Sequence, residues 1–195
     1  DGLAGGAVTS AQISWVLGEL LLRGESPPNF GLYTPAHFSK LTFGLQRNQT
    51  LADSGLQLSL SGQYASANLN SAEQFYLGGP YGVRAYPVAQ GGGSQGMLAQ
   101  VEWQRQAQEG WQQVLFLDAG RIEQFKNPYP GWQGNTQANN AYELYGAGAG
   151  LRKAAGPWSL SATAAWRIGS NPLYSQSGQA VDVDRTRRNP RLWLL

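Results

Sequence analysis

Apolar and polar residues alternate with a period of two in roughly eight stretches of the chain, most of them about ten residues long. In the clearest stretch, Leu56, Leu58 and Leu60 are separated by glutamine and serine. Strict alternation predicts β-strands that carry one apolar and one polar face. The predicted strands are 11–22, 37–47, 55–65, 97–106, 112–120, 141–153, 158–168 and 192–195.

The connections between these strands are alternately long and short. Long connections at 23–36, 66–96, 121–140 and 169–189 alternate with short turns. Outer-membrane barrels combine strands of about ten residues with short periplasmic turns and long external loops. A sheet in lipid must also close on itself, because the bilayer core offers no partners for backbone polar groups. The sequence therefore predicts an all-β fold, an antiparallel transmembrane β-barrel with about eight strands in this chain.

The composition supports the membrane barrel over its main alternative, a soluble β-sandwich, which also alternates apolar and polar faces. Charged residues make up 13% of the chain, about half the share in soluble domains. The polar faces carry Gln, Ser, Thr and Gly, which suits a wet lumen better than a solvated exterior. The net charge of +2 and the absence of a basic run give no sign of nucleic-acid binding. The absence of cysteine excludes disulfides and thiolate metal sites.

The longest connection, 66–96, contains the stretch LGGPYGVRAYP at 77–87. Glycine and proline make this stretch unsuitable for a regular strand or helix. Its apolar residues predict a segment that folds back onto the protein, with Arg84 as its anchor. The predicted partner is Asp118, which lies on the polar face of its strand and needs a counter-charge if it is removed from water. The alternative is that both charges are solvated in a wide pore.

Other candidates for chemistry are weaker. His37 is the only histidine, and no Ser/Asp partner is suggested by spacing, so a catalytic triad has little support. Asp182 and Asp184 could bind calcium, but the glycine and bidentate glutamate of a calcium loop are missing, so we expect a solvated charge pair. For the basic group at 185–188 we expect a solvated loop tip, with a lipid-headgroup contact as the alternative. We therefore expect no enzyme activity, no metal and no cofactor.

Two motifs resemble those of a known superfamily. LGGPYGVRAYP is similar to the V-R-G-Y loop motif of polypeptide-transporting outer-membrane β-barrels, and FLDAG at 116–120 is similar to their F-x-D-x-G strand motif. Within the superfamily, the chain most resembles the two-partner secretion translocators, the haemolysin/haemagglutinin secretion-activation proteins. Further similar segments are HFSKL at 37–41, SGQYASANLNSAEQFYLGG at 61–79 and ELYGAGAGLR at 143–152.

The resemblance implies a sixteen-stranded barrel preceded by periplasmic POTRA domains. Residues 1–195 would form the C-terminal part of the barrel, with 66–96 as its sixth external loop, and the POTRA domains are absent from this chain. The loop arginine of the family enters the lumen and contacts the strand aspartate, which carries over to Arg84 and Asp118. The family's motif glycine is Ala85 here, which would add about 1 kcal/mol of strain if that position requires positive φ. The residues carried over from the two motifs are Gly78, Gly79, Val83, Arg84 and Tyr86 of the loop and Phe116, Asp118 and Gly120 of the strand.

The function implied by the resemblance is two-partner, type V secretion across the bacterial outer membrane. A large secreted partner protein would cross unfolded through the lumen without ATP, and the loop would act as a plug or latch. The expected partners are this exported protein and outer-membrane lipid, and the barrel is expected to be monomeric. The alternatives are a barrel-assembly factor of the same superfamily, a passive porin and, more distantly, a soluble sugar-binding β-domain.

Overall fold

The computed structural model describes residues 5–20, 34–134, 139–175, 177–179 and 182–195. The strands within them are β1 (Ala7–Glu19), β2 (His37–Thr50), β3 (Ser54–Ala65), β4 (Phe75–Tyr76), β5 (Gly92–Gly93), β6 (Gln95–Gln106), β7 (Trp111–Glu123), β8 (Ala141–Ala155), β9 (Trp158–Arg167) and β10 (Arg191–Leu194). A short 3-10 helix, Gln108–Gly110, connects β6 and β7. Eight strands form one sheet in the order β1-β2-β3-β6-β7-β8-β9-β10, and every neighbouring pair is antiparallel. The short β4 and β5 pair with each other inside the connection between β3 and β6.

The predicted fold class is confirmed, since each of the eight predicted strands coincides with a strand of the large sheet. The differences lie at the ends. β1 begins four residues earlier than predicted and ends at Glu19, and residues 21–22 of the predicted strand lie outside the described residues. β7 continues to Glu123 because the alternation of exposed and buried residues continues through Ile122. Among the described residues there is no helix long and apolar enough to cross a membrane.

The strand register places the predicted apolar faces of neighbouring strands on the same side of the sheet. Leu60 pairs with Ala99, Ala99 with Ala119, and Ala119 with Tyr145, so the predicted apolar face continues from strand to strand. Large side chains on this outer face are exposed, with Trp15 at 70% and Leu117 at 55%. A contiguous exposed apolar face is what a lipid-facing sheet surface presents.

The buried core lies against the opposite, inner face of the sheet. The connection 66–94, which we call the motif loop, folds back over β6 to β9 instead of extending away from the sheet. Its most buried apolar residues are Leu77, Val83, Ala85 and Tyr86. They pack with inner-face residues of the strands: Leu98, Val114, Phe116, Ile122, Tyr142, Leu144 and Ala165.

Two inner-face glycines allow the motif loop to approach the sheet this closely. A Cβ at Gly120 would lie 2.6 Å from Leu77 Cδ2, and a Cβ at Gly146 would lie 2.9 Å from Ala85 Cβ. Both distances are shorter than normal van der Waals contact. A side chain at either position would therefore occupy space that the motif loop fills.

The motif loop is compact because its own backbone groups bond to one another. The Val83 N–H donates to the Leu77 carbonyl at 2.6 Å, and the Gly79 N–H donates to the Tyr86 carbonyl at 3.1 Å. Gly79 has φ of +111°, a value that favours glycine. Ala85 is not among the described non-glycine residues with positive φ, so the strain considered for an alanine at the family's glycine position does not arise.

Candidate functional site

Arg84 binds the strand aspartate directly. Its Nε donates to Asp118 Oδ2 at 2.9 Å and its Nη2 donates to Asp118 Oδ1 at 2.7 Å, so the guanidinium and the carboxylate meet in a two-pronged pair. The Arg84 backbone N–H adds a third hydrogen bond to Asp118 Oδ2 at 3.0 Å. The pairing therefore fixes both the side chain and the backbone of the loop at this residue.

A second carboxylate completes the site. Arg84 Nη1 donates to Glu102 Oε2 at 2.6 Å, and Arg152 Nη1 donates to Glu102 Oε1 at 2.6 Å. These four residues, Arg84, Glu102, Asp118 and Arg152, form what we call the Arg84 cluster. Its two guanidiniums and two carboxylates balance in formal charge. Gln100 supports it, because its Nε2 lies 3.1 Å from Asp118 Oδ1 and 2.9 Å from the Gly82 carbonyl.

The strand register explains why these groups meet. Gln100 pairs with Asp118 and Glu102 pairs with Phe116, which places Glu102 and Asp118 on the same inner face of neighbouring strands. The Phe116 ring shares this face, with its centroid 3.4 Å from Arg84 Cζ. A guanidinium over an aromatic face gains a cation–π attraction that strengthens when water is excluded. Alternation along β6 and β7 therefore builds a negatively charged recess with an aromatic floor.

Burial makes the charge balance of this site energetically important. Arg84 is 6% exposed, Glu102 7% and Asp118 2%. Burial opposes the charged form of Arg84, but hydrogen bonds and charge from Asp118 and Glu102 outweigh it, so the pKa of Arg84 lies above its ordinary value. Removing one partner of a buried ion pair costs about 3–5 kcal/mol, because the other charge loses its compensation.

The other motif residues lie around this pair. Gly78 forms a bridge with Val83 inside the loop, and the Val83 side chain is fully buried. Tyr86 is also fully buried, and its ring lies 4.6 Å from the guanidinium carbon of Arg167. Gly120 faces Leu77 and Val83. The structure thus brings the loop motif and the strand motif into one contact region.

Several residues of this region were not identified from the sequence as site residues. Glu102 lies on the polar face of β6 with Gln100 and Gln104. The signal that could have identified it is its acidic side chain, one strand away from Asp118. Arg152 carried no comparable signal, because its contact with Glu102 spans 50 positions in sequence. Trp193 was expected at most as part of a short final strand, yet its Nε1 donates to the Arg84 carbonyl at 2.8 Å.

The weaker candidates have varied outcomes. His37 is exposed, and its Nε2 lies 4.0 Å from Glu19. The solvated charge pair expected at Asp182 and Asp184 is wrong for Asp182, which is 1% exposed and bonded to Arg167. The described residues contain no group of three or more metal-ligating side chains of the His, Cys, Asp and Glu type. Residues 185–188 are exposed, as a solvated loop tip requires.

Comparison with known proteins places the chain in a family. The haemolysin secretion/activation protein family ShlB/FhaC/HecB matches residues 2–153. The heme/hemopexin transporter protein HuxB of Haemophilus influenzae is 29% identical over 142 residues, which is 70% of this chain and 25% of HuxB. HuxB of strain 86-028NP is 28% identical over the same share of each chain. This chain thus spans about a quarter of the length of these curated relatives.

Among solved structures, CdiB from Acinetobacter baumannii is similar, with a TM-score of 0.47 and 21% identity over 74% of this chain and 32% of CdiB. The family match, in contrast, extends over well more than half of the sequence. The chain therefore belongs to the ShlB/FhaC/HecB family of haemolysin secretion/activation proteins, whose members are β-barrel proteins of the Gram-negative outer membrane.

Proposed function

We propose that this chain supplies the C-terminal part of the barrel of a two-partner, type V translocator, which exports a large secreted protein through its lumen. The barrel would have sixteen strands, act as a monomer in outer-membrane lipid and catalyse no reaction. Family membership supports a role in secretion, and the curated relatives are named as transporters. The exported partner would cross unfolded, with the motif loop acting as a latch on the lumen wall.

The observation that carries this proposal is the docked motif loop. A loop of 29 residues between β3 and β6 lies against the inner face of the sheet, and the Arg84 cluster holds it by charge-assisted hydrogen bonds. A segment held by a few strong polar contacts can have two discrete arrangements, docked and released. A passive pore has no need of such a segment, whereas a protein translocator can use it to control the lumen.

The test of the function is export of the cognate partner by the complete protein. Cells that express both proteins are expected to release the partner into the medium, and cells without the translocator are expected to retain it. Assembly of an unrelated outer-membrane barrel is measured in the same cells. Export without an effect on assembly supports a translocator, whereas an assembly defect without an export defect identifies an assembly factor.

The substitution Asp118→Asn tests whether the loop contact serves export. Asparagine keeps the size of the side chain but removes the charge that pairs with Arg84, so we expect export to fall about fivefold to tenfold while the barrel remains folded. This range corresponds to roughly 1–1.4 kcal/mol, less than the about 3–5 kcal/mol for losing a buried partner outright, because Arg84 keeps Glu102 as a counter-charge. Partner protein in the medium is quantified by immunoblotting, and folding is measured as resistance of the unheated barrel to detergent.

The matched control is Asp53→Asn, which changes an exposed aspartate in the turn between β2 and β3. Asp53 pairs with Arg105 at the surface, where ion pairs contribute little. Export by this variant is expected to equal that of the parent protein. If Asp118→Asn changes ion conductance in planar bilayers and leaves export at the parent level, the latch role is contradicted and the porin alternative gains support.

A further inference from the structure

A second group of charged residues, on β9, β10 and their connection, lies beside the motif loop. Asp182, in the connection between β9 and β10, pairs with Arg167 at the end of β9 and lies 3.7 Å from Arg191 Nη2 of β10. Arg191 Nη1 also donates to Asp184 Oδ2 at 2.8 Å. Asn171 Nδ2 donates to Asp182 Oδ1 at 2.8 Å. Asp182 is thus a buried carboxylate that accepts hydrogen bonds from Arg167 and Asn171 and forms an ion pair with Arg191.

This group contacts the motif loop next to Arg84. Arg167 Nε donates to the Ala85 carbonyl at 3.3 Å, and the Arg167 guanidinium lies over the Tyr86 ring. The residue after Asp182 makes a further contact, because the Val183 N–H donates to Gln90 Oε1 at 2.9 Å. Gln90 is a fully buried residue of the motif loop. The β9–β10 connection is therefore attached to the motif loop both directly and through Arg167.

The two charge groups hold different parts of the same segment. Glu102 and Asp118 bind the side chain of Arg84 from β6 and β7. Trp193 and Arg167 bind the carbonyls of Arg84 and Ala85 from β10 and β9. Release of the motif loop from the sheet requires both sets of contacts to break.

We propose that the β9–β10 connection is a strap that keeps the motif loop docked, and that Asp182 is its positioning residue. Asp182 acts through Arg167, since its carboxylate fixes the guanidinium that binds Ala85 and Tyr86. Without that carboxylate, the largely buried guanidiniums of Arg167 and Arg191 would lie close together. Among the described residues, Asp184 would be the carboxylate left to pair with Arg191. Arg167 would then turn toward solvent and release the Ala85 carbonyl. A consequence for export rests on the proposed function, but docking of the loop can be measured independently.

The measurement is chemical labelling of a cysteine placed in the motif loop. This chain contains no cysteine, and Val83 is fully buried and close to cysteine in size, so Val83→Cys introduces a thiol that is protected while the loop is docked. The complete protein in outer-membrane vesicles is treated with a membrane-impermeant maleimide. When opening is fast relative to labelling, the labelling rate reports the released fraction of the loop.

Adding Asp182→Asn to the Val83→Cys protein is expected to raise the labelling rate of the introduced thiol at least tenfold, while the barrel keeps its resistance to detergent. The matched control is Asp184→Asn, in the same connection, because the hydrogen bonds of Asp184 go to Arg191 and Thr186 and not to the motif loop. We expect less than a twofold change for this control. An Asp182→Asn barrel that is folded and labelled at the parent rate overturns the proposal.

Two further variants separate the possible outcomes. Arg84→Ala in the same labelling assay tests the contact of the latch with Asp118 and Glu102. If Arg84→Ala raises the labelling rate and Asp182→Asn does not, the strap is rejected and the proposed function is kept. If Asp182→Asn prevents folding, Gln90→Met replaces it. Methionine keeps the volume of Gln90 and removes the acceptor for the Val183 N–H. A threefold or larger rise in labelling is then expected, and an unchanged rate rejects the strap.

Discussion

Replacing Arg84 with alanine is expected to remove at least nine-tenths of partner export while the barrel remains folded and inserted. The substitution removes the charge-assisted hydrogen bonds to Asp118 and Glu102 and the guanidinium that covers the Phe116 ring. Asp118 then lies buried without its counter-charge, whereas Glu102 keeps Arg152. The docked state of the motif loop is therefore the state that loses stability.

The size of the effect follows from the burial of the pair. Removing one partner of a buried ion pair costs about 3–5 kcal/mol, and each 1.4 kcal/mol changes an equilibrium about tenfold. The equilibrium between the docked and the released loop should consequently shift by about two to three and a half orders of magnitude. The strands themselves are little affected, since their backbone hydrogen bonds do not depend on Arg84.

The measurement is export of the partner by the complete protein, with detergent resistance as the test of folding. Arg121→Ala is the matched control, because Arg121 lies near the end of β7 and its exposed side chain pairs with Glu143 and not with the motif loop. Arg84→Lys should fall between alanine and the parent, since an ammonium keeps the charge but cannot bind two carboxylates with a planar fork. Parent-level export by Arg84→Ala would contradict the latch, whatever the state of the loop.

The strands and their faces could be predicted from the sequence because side-chain direction in a strand has a fixed period of two. Leu115 and Leu117 had to point away from Phe116 and Asp118 once the segment was a strand, and they do. The contact between Arg84 and Asp118 was predictable for a different reason. A buried carboxylate requires a counter-charge, and the two motifs occur together in the resembling family.

The rest of the site depends on contacts that local patterns do not encode. Glu102 was visible as the acidic residue between two glutamines of β6, but the sequence pattern did not indicate that it lies within reach of Arg84. Asp182 was expected in water because it lies in a polar connection. Its burial arises because β9 and β10 pair and bring Arg167 and Arg191 to the same place, although they are 24 positions apart.

Replacing Gly120 with valine is expected to expel the motif loop from the inner face without unfolding the sheet. A Cβ at this position would lie 2.6 Å from Leu77 Cδ2 and 3.2 Å from Val83 Cγ2. Leu77 and Val83 are fully buried, so neither side chain can move into solvent while the loop stays docked. Valine also adds two methyl groups beyond the Cβ. The steric conflict lies between strand and loop, while valine itself favours β-strands.

Overpacking of this kind costs about 1–3 kcal/mol, and here the cost falls on the docked state. Hydrogen exchange followed by mass spectrometry is the appropriate measurement, because it reports each segment separately. Peptides that cover 77–87 should exchange about fivefold to a hundredfold faster in Gly120→Val, whereas peptides from β6 and β7 should be unchanged. Partner export should fall in parallel.

Gly44→Val is the matched control, since Gly44 lies on the inner face of β2, where a Cβ would meet Gln12 and not the motif loop. Exchange of 77–87 in this variant should equal that of the parent.

The double variant Leu77→Ala/Gly120→Val provides a stricter test, because alanine at 77 vacates the space that valine at 120 needs. The two substitutions should be strongly non-additive. Peptides that cover 77–87 should exchange more slowly in the double variant than the combined effects of the two single variants predict. Additive effects would show that the substitution at Gly120 does not act through Leu77. Exchange of 77–87 at the parent rate in Gly120→Val alone would show that the loop stays docked in spite of the added side chain.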